Sequence, residues 1–359
     1  MKVIVLINKE KKMKAVVFND INNLTFEERE NPKIENEFDV ILKVTLTTIC
    51  SSDIHIKKGF VPRAEKGVVL GHEFVGVVKE KGNGVKKFKI GDRVAVNCET
   101  FCGECFYCKN GYVNNCTDKN GGWALGCRID GGQGEFVRIP FADNCLTKIP
   151  DNVTDEEALF TGDLLSTGYW ASTIGEISKK DTIVVIGAGP TGLCTMMCAR
   201  LFEPKKIIAI DIDDRRLNLA KENNYADIVI NSSKENVKDE ILKYTNMRGA
   251  DKVFEVAGGK DTFSMAINIA RPNAMVILVA MYEENQILPL PEIYGKNLTI
   301  KFGGVDGIYC EKIMEYIEDK KINATPLITH RLNFEDIMKG YDIFENKKDG
   351  VIKIAIKMK

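Results

Sequence analysis

Residues 184–194 read VVIGAGPTGLC, and this stretch decides the fold of the second half of the chain. An apolar, strand-like run, Thr182–Ile186, leads into glycines at the spacing G-x-G-x-x-G, and a helical stretch follows them. Glycines at this spacing permit a tight turn and a close approach of the backbone to a pyrophosphate, while the helix N-terminus offers N–H donors and a partial positive charge. The pattern predicts a dinucleotide-binding turn formed by Gly187, Gly189, Pro190, Thr191 and Gly192.

The sequence after this turn alternates between strand-like and helical stretches. A helical stretch, Arg215–Asn223, follows the second strand-like run. Alternation at this spacing predicts a parallel sheet with helices on both faces. The further strand-like runs are Lys206–Ile210, Asp227–Ile230, Lys252–Val256, Met275–Val279 and Leu298–Lys301.

The first half of the chain has a different texture. Short β-like runs such as Val40–Thr47 and Arg93–Val96, separated by glycines, prolines and charges, predict an irregular, mostly β lobe. The strand–helix alternation is lost after Val305, so we expect the C-terminal segment to return to this lobe. We therefore predict a dinucleotide-binding domain over 164–304 and a discontinuous domain over 1–163 and 305–359.

Asp211 ends the strand that follows the glycine-rich turn. A carboxylate at this point accepts hydrogen bonds from the ribose hydroxyls of NAD and repels the 2′-phosphate of NADP. Arg215 and Arg216 follow closely, and a guanidinium can hold a 2′-phosphate. Because Asp211 occupies the place of the phosphate, the sequence favours NAD over NADP, with Arg216 beside the cofactor.

Four cysteines stand in one loop at the spacing C-x2-C-x2-C-x7-C. Four thiolates in a closed tetrahedral shell are what structural Zn²⁺ prefers. The alternative, two disulfides, needs an oxidising compartment, and the N-terminal apolar run Val3–Ile7 is too short for a secretory signal and lacks a cleavage site. We predict a structural zinc site at Cys102, Cys105, Cys108 and Cys116.

The charges of the chain are balanced. Its 359 residues include 50 Lys and Arg against 51 Asp and Glu, a formal net charge of −1. A nucleic-acid or anionic-membrane binder needs a basic excess or stripe, so neither partner is expected. Because the sequence shows no secretory signal, we expect a cytoplasmic protein. The run MKAVVF from Met13 reads as a first strand, so residues 1–12 are interpreted as an extension.

Several motifs together carry a family resemblance. G-H-E ends at Glu73, D-x3-T-G-Y begins at Asp163, and Gly122–Val137 reads GWALGCRIDGGQGEFV. With the four-cysteine loop and the glycine-rich turn, in this order, the chain resembles the zinc-dependent medium-chain alcohol dehydrogenases. It looks closest to bacterial secondary-alcohol and formaldehyde-dehydrogenase-like members. The resemblance implies an α/β fold: a doubly wound parallel Rossmann sheet plus a discontinuous, mostly β, GroES-like catalytic domain.

The resemblance also implies a second, catalytic zinc, and thus two Zn²⁺ per chain. Its ligands would be Cys50, His72 and Asp163, with Glu73 as a supporting carboxylate or alternative ligand. Three protein ligands leave a fourth position for the substrate oxygen, and the metal acts as a Lewis acid on the alcohol. By the same resemblance, Ser52 and His55 form a proton relay through the nicotinamide ribose to the surface.

Other site residues are implied more loosely. Thr167 resembles a residue that contacts the nicotinamide, and Lys353 one that reaches the pyrophosphate. Trp123 resembles an aromatic residue that roofs the substrate pocket. Cys98 falls at a pocket-wall position, where a small side chain would leave room for a methyl branch. Ordinary core packing is the alternative for both pocket residues.

We therefore expect a homo-tetrameric, NAD-linked enzyme that interconverts secondary or short-chain alcohols and ketones or aldehydes. A polyol, diol or formaldehyde-type dehydrogenase is the alternative, although polyol relatives tend to carry Glu where Asp163 stands. A non-catalytic zinc and nucleotide binder is the alternative of another class. Such a relative should have lost ligands or relay residues, and none of these is missing.

Overall fold

The computed structural model describes residues 12–358, so the interpretation of residues 1–12 as an extension falls almost wholly outside the described residues. Within them the chain forms two compact units. The first contains the residues up to Pro150, His330–Lys348 and the segment from Ile354 onward. The second contains Asp151–Thr329 and Asp349–Lys353. None of the helices in residues 12–358 is both long and apolar enough to cross a bilayer.

The strands of the described chain are β1 Lys12–Asp20, β2 Asn23–Glu30, β3 Val40–Thr47, β4 Val68–Val69, β5 Phe74–Lys81, β6 Arg93–Val96, β7 Phe136–Ile139, β8 Leu146–Lys148, β9 Thr182–Ile186, β10 Lys206–Asp211, β11 Ile228–Asn231, β12 Ala250–Glu255, β13 Ala270–Leu278, β14 Thr299–Phe302, β15 Ile328–Asn333 and β16 Lys353–Lys357.

The α-helices of the described chain are α1 Ser51–Lys57, α2 Phe106–Lys109, α3 Ala142–Cys145, α4 Asp155–Ala158, α5 Leu164–Ile174, α6 Pro190–Arg200, α7 Asp214–Glu222, α8 Val237–Tyr244, α9 Thr262–Ile269, α10 Leu290–Ile293, α11 Cys310–Glu318 and α12 Ile337–Glu345.

The second unit contains a six-stranded parallel sheet in the order β11-β10-β9-β12-β13-β14. Numbered along this sheet the order is 3-2-1-4-5-6, the usual order of a doubly wound dinucleotide-binding fold. All five residues of β9 are buried. Because successive side chains of a strand point to opposite faces, both faces of the sheet are covered at β9. The predicted parallel sheet is confirmed, and the predicted strand Thr182–Ile186 coincides with β9.

The first unit is built mainly on antiparallel strands. One sheet has the order β15-β16-β3-β5-β6-β8, with β7 paired to β3, and a smaller sheet has the order β2-β1-β4. The predicted strands Val40–Thr47 and Arg93–Val96 coincide with β3 and β6. Along the pair of β3 and β5, Thr47 lies opposite Phe74. This register brings the residues just after β3 and just before β5 to the same end of the sheet.

The boundaries of the two compact units differ from the boundaries of the predicted domains. Residues 151–163 and 305–329 belong to the second unit. The physical reason is helix packing, because α11 contacts α4 and α5 of the same unit. The domain boundaries predicted from the sequence, at 163/164 and 304/305, remain predictions.

Candidate metal centres and nucleotide site

The four cysteines of the C-x2-C-x2-C-x7-C loop converge in the first unit. Their sulfur atoms all lie within 4.8 Å of one another. Individual separations are 3.4 Å between Cys105 and Cys108, 3.6 Å between Cys116 and Cys102, and 3.9 Å between Cys102 and Cys108. A tetrahedron of ~2.3 Å zinc–sulfur bonds has sulfur–sulfur edges of about 3.8 Å. The cluster therefore has the dimensions of a tetrahedral zinc site.

The backbone around this cluster favours thiolates. The backbone nitrogens of Glu104 and Cys105 each lie 3.4 Å from the Cys102 sulfur, and the backbone nitrogen of Cys102 lies 3.4 Å from the Cys116 sulfur. The backbone N–H groups of Cys108 and Thr117 lower the pKa of the Cys105 thiol to about 6, whereas burial raises the pKa of the Cys108 and Cys116 thiols. The eleven cysteines, which all lie within residues 12–358, form no disulfide with one another. The donor set fits Zn²⁺, which a shell of four thiolates would enclose completely.

Cys50 and His72 meet because of the strand register. Cys50 follows β3 by three residues and His72 precedes β5 by two, and Thr47 of β3 pairs with Phe74 of β5. The Cys50 sulfur and a ring nitrogen of His72 lie within 4.8 Å of each other. Cys50 is 9% exposed and His72 is 3% exposed. Thiolate and neutral imidazole are both zinc ligands, so this buried pair fits two corners of a metal site.

A glycine-rich stretch packs against the backbone that carries His72. Gly71 has φ +95°, and a Cβ atom on Gly131 would lie 2.0 Å from the Gly71 carbonyl oxygen. A Cβ atom on Gly126 would lie 2.7 Å from the Gly71 nitrogen. Only glycine fits at either position, and this explains two glycines of the Gly122–Val137 motif. The motif thus holds the segment that precedes the imidazole.

Asp53 is a site residue that the sequence reasoning missed. It is 1% exposed, its Oδ2 accepts the Cys50 N–H at 2.9 Å, and its Oδ1 lies 3.5 Å from His72 Nδ1. A carboxylate on Nδ1 fixes the tautomer of a metal-binding histidine and leaves Nε2 for the metal. The signal was available, because Asp53 stands three residues after Cys50, at the capping-box position of α1.

The structure places the predicted relay residues together on α1. Ser52 Oγ lies 3.7 Å from the Cys50 sulfur. His55 lies three residues further along the helix, on the same face, with its ring edge-on to Phe60 at 6.1 Å. Glu73, the predicted supporting carboxylate, is 1% exposed directly after His72. Their roles in proton transfer and metal binding stay predictions.

Trp123 adjoins the imidazole. Its ring packs edge-on against His72 with 5.6 Å between centroids, and the Arg63 guanidinium lies over the Trp123 ring, 5.1 Å from its centroid. Cys98 is buried two residues after β6. Trp123 is thus next to the candidate metal ligand, while the pocket role of Cys98 stays a prediction. Sequence reasoning did not point to Arg63, because a lone arginine in a loop carries no local signal.

The glycine-rich turn in the second unit joins β9 to α6. Gly187 has φ +104°, which favours glycine. A Cβ atom on Gly192 would lie 1.8 Å from the Gly187 carbonyl oxygen, so glycine is required for α6 to pack this closely. Gly189 is the N-cap of α6, and Pro190 and Thr191 form its first turn. The turn therefore presents the N-terminus of a buried helix, the arrangement that binds a pyrophosphate.

Asp211 is held beside this turn. Its Oδ2 accepts the Ala188 N–H at 2.7 Å, and its Oδ1 accepts the N–H groups of Ile212 and Asp213 at 2.7 and 2.9 Å. Arg216 Nη1 lies 4.0 Å from Asp211 Oδ2. The carboxylate is thus placed next to the turn where a cofactor ribose would lie, with its charge partly offset by Arg216.

Three more predicted residues lie in the second unit. Asp163 is the N-cap of α5, and its carbonyl oxygen accepts the N–H of Thr167 at 2.7 Å. Lys353 is 1% exposed, with its ammonium 5.5 Å from the centre of the Phe160 ring. The predicted contacts of Thr167 and Lys353 with the cofactor, and of Asp163 with zinc, stay predictions.

Family models match both halves of the chain. Residues 36–151 match the alcohol dehydrogenase GroES-like domain, and residues 190–315 match the zinc-binding dehydrogenase model. These ranges contain the four-cysteine loop and most of the parallel sheet. The first range also contains Cys50 and His72, and the second contains Asp211.

Similar proteins match almost from end to end. An alcohol dehydrogenase of Cupriavidus necator is 34% identical, with 96% of this chain and 98% of the relative covered. The solved structure of alcohol dehydrogenase TADH from Thermus sp. ATN1 has a TM-score of 0.88 and 32% identity, covering 97% of this chain and 100% of that one. That of the short chain alcohol dehydrogenase rspB of Escherichia coli CFT073, complexed with NADH, has a TM-score of 0.87 and 30% identity, covering 96% and 99%. The chain is therefore an oxidoreductase of the zinc-dependent medium-chain alcohol dehydrogenase family, with that family's GroES-like domain and Rossmann-like nucleotide-binding domain.

Proposed function

We propose that this chain interconverts secondary or short-chain alcohols and the corresponding ketones or aldehydes, with NAD as the hydride acceptor. The observation that carries the proposal is the buried pair of Cys50 and His72, with Ser52 next to Cys50 and Trp123 next to His72. A thiol and an imidazole at this separation suit a metal, and the residues around them suit a hydroxyl substrate.

Cys50, His72 and Asp163 are the proposed ligands of the catalytic zinc. The set combines one thiolate, one imidazole and one carboxylate, each a normal zinc donor, and leaves a position for the substrate. When bound, zinc would act as a Lewis acid that polarises the substrate oxygen and lowers the pKa of a hydroxyl. Glu73, buried beside His72, is proposed as a supporting carboxylate.

Asp53, Ser52 and His55 are proposed to support the reaction. Asp53 holds the Nδ1 side of His72, so that Nε2 is directed to the metal. Ser52 accepts the proton that leaves the substrate hydroxyl, because a hydroxyl group both accepts and donates. His55, on the same face of α1, releases that proton to solvent near neutral pH. Each turnover then converts an alcohol and NAD⁺ to a carbonyl compound, NADH and one proton.

Asp211 supports the choice of NAD. Its carboxylate lies beside the glycine-rich turn and would oppose a 2′-phosphate. The proposed pyrophosphate contacts come from the turn, Arg216 and Lys353, and the proposed nicotinamide contact from Thr167. A second zinc, held by the four-cysteine loop, is proposed to stabilise the first unit.

The proposed substrate class rests on Trp123, which contacts His72, and on Cys98, the proposed residue of the pocket wall. Trp123 offers an apolar surface beside His72, and Cys98 is a small buried residue. Together they favour a compact apolar alcohol over a sugar polyol, which would need several hydrogen-bonding groups. We further propose that the protein is cytoplasmic and forms a homo-tetramer. Light scattering on the purified protein would test the tetramer.

A substrate and metal panel tests the function. Wild type should hold two zinc ions per chain and oxidise simple secondary alcohols with NAD, while His72→Ala and Asp163→Ala should each lose one zinc and the activity. His330→Ala, a histidine on β15 outside the site, is the matched control and should keep both. A high kcat/KM for polyols or formaldehyde adducts, with none for secondary alcohols, would overturn the proposed substrate class. Zinc binding without turnover of any alcohol would favour a non-catalytic relative.

A further inference from the structure

A buried polar chain extends from the candidate metal ligands to the C-terminal part of the first unit. Tyr341 on α12 donates its hydroxyl hydrogen to Gln133 Oε1 at 2.6 Å. Gln133 Nε2 donates to Asp53 Oδ2 at 3.0 Å and to the Thr48 carbonyl oxygen at 3.1 Å. Asp53 in turn contacts the Cys50 N–H and His72. Tyr341, Gln133, Asp53 and His72 are 0–3% exposed, so water does not replace the bonds between them.

Gln133 can occupy this position in one orientation only. A flipped amide would turn Oε1 towards the Thr48 carbonyl oxygen and the Asp53 carboxylate, which are both acceptors. It would also turn Nε2 towards the Tyr341 hydroxyl and lose the bond that Tyr341 now donates. Burial raises the pKa of Tyr341 well above its usual value, so the phenol is a proton donor at any ordinary pH.

The orientation of Gln133 decides the orientation of Asp53. Asp53 Oδ2 accepts two hydrogen bonds, from Gln133 and from the Cys50 N–H, which fix the carboxylate plane. Oδ1 is then left facing His72 Nδ1 at 3.5 Å. Among residues 12–358, Asp53 Oδ1 accepts no hydrogen bond at normal distance. The Nδ1 atom of His72, 3.5 Å away, is a donor that can approach it. A buried carboxylate oxygen without a hydrogen bond costs free energy, so a bond from the nearby imidazole N–H is favoured.

We propose that Gln133 and Tyr341 are positioning residues for the catalytic metal, acting through Asp53 on His72. They touch neither the metal nor the substrate. Tyr341 fixes the Gln133 amide, the amide fixes the Asp53 carboxylate, and the carboxylate fixes the imidazole. This inference rests on the proposed function, because it assumes that His72 binds the metal.

The test measures metal binding rather than turnover. Co²⁺ replaces zinc, and the visible absorption of the catalytic ion is obtained by subtracting the spectrum of His72→Ala, which retains only the four-cysteine site. Gln133→Leu should lower the affinity of the catalytic site for Co²⁺ about 10-fold in chelator competition, a loss typical of removing a group that supports a metal ligand. It should also alter the d–d bands of the Co²⁺ bound there. Tyr341→Phe should act in the same direction by a smaller factor.

A double variant separates positioning from general stability. Because Tyr341 acts through Gln133, Tyr341→Phe should cause no further loss of Co²⁺ affinity in the Gln133→Leu background. Tyr225→Phe is the matched control: Tyr225 is also buried and donates to the carbonyl oxygen of Asn323, in the second unit. It should lower the melting temperature and leave the Co²⁺ spectrum unchanged. If Gln133→Leu does not fold, Tyr341→Phe, which removes a single oxygen atom, decides the matter.

The outcomes are distinguishable. If wild type shows a catalytic Co²⁺ band and Tyr341→Phe changes neither the band nor the affinity while lowering the melting temperature, the two residues support the fold alone and the inference is wrong. If wild type and His72→Ala have the same Co²⁺ spectrum, the proposed function fails, and the inference fails with it.

Discussion

Replacing one thiolate of the four-cysteine loop should destabilise the first unit and remove one metal ion. Cys116→Ser breaks the cross-link that a metal makes between the two ends of the loop, Cys102 and Cys116. A covalent cross-link that closes a loop of about 15 residues raises the free energy of the unfolded chain by ~3 kcal/mol. A zinc ion that binds only the folded loop stabilises the fold by at least that much, because its binding free energy adds to that of folding. For a folding unit of about 150–250 residues this corresponds to a fall of ~6–12 °C in melting temperature. The sulfur–sulfur distances of 3.4–3.9 Å support one ion shared by the four thiols.

Calorimetry and zinc analysis on the same samples check this prediction. Cys116→Ser should lose one zinc per chain, whereas the matched control Cys145→Ser should lose none. Cys145 lies near the loop, where its sulfur accepts the Phe101 N–H at 3.3 Å, and a serine hydroxyl can accept the same bond. A Cys116→Ser protein that kept its full zinc content and melted within about 2 °C of wild type would refute the cross-link argument.

Three further predictions concern the second unit. Asp211→Ala should lower the ratio of kcat/KM for NAD to that for NADP by about 10-fold or more, since a hydrogen bond to a charged group contributes ~1.5–3 kcal/mol; an unchanged ratio in cofactor kinetics would exclude the assigned role. Gly192→Ala places a Cβ atom 1.8 Å from the Gly187 carbonyl oxygen, so α6 must shift, and both NAD binding by fluorescence titration and thermal stability should fall. The Lys320 ammonium lowers the pKa of Glu157 to about 2, below the unfolded value, so this ion pair stabilises the fold above about pH 4.5 and loses its effect as the pH falls towards 2. Urea unfolding should therefore show Glu157→Gln less stable than wild type by under ~1 kcal/mol at pH 7, with a smaller difference at pH 3.

The parallel sheet could be predicted because its signals are local. The strand β9, the glycine spacing and the start of α6 lie within one short stretch, and each is decided by neighbouring residues. Gly192 shows why the spacing matters, because a Cβ atom there would meet the Gly187 carbonyl oxygen, where helix and turn are in contact. Strand β2 was not predicted, since its sequence NLTFEERE has no fully buried position and so no clear alternation.

The convergence of the four cysteines was also predictable, because all four lie in one loop. Cys50 and His72 were assigned by resemblance, and the register of β3 and β5 explains how they meet. Asp53 could have been found from the capping box at the start of α1. Tyr341 could not, because 208 residues separate it from Gln133 and only the folded chain brings them together.

The motif GWALGCRIDGGQGEFV shows how a family signature divides into physical parts. Gly126 and Gly131 leave space for the backbone at Gly71, Trp123 packs on the His72 ring, and Gln133 supports the carboxylate behind that ring. Each part bears on the same imidazole, through the backbone before it, its ring or the carboxylate beside it. The amino-acid pattern of the motif does not by itself reveal these separate roles, because none of the residues is a proposed metal ligand. The expected order of sensitivity follows from the contacts. Substituting Gly131 should displace the backbone before His72 and affect folding most, while losing the amide of Gln133 should affect metal affinity most.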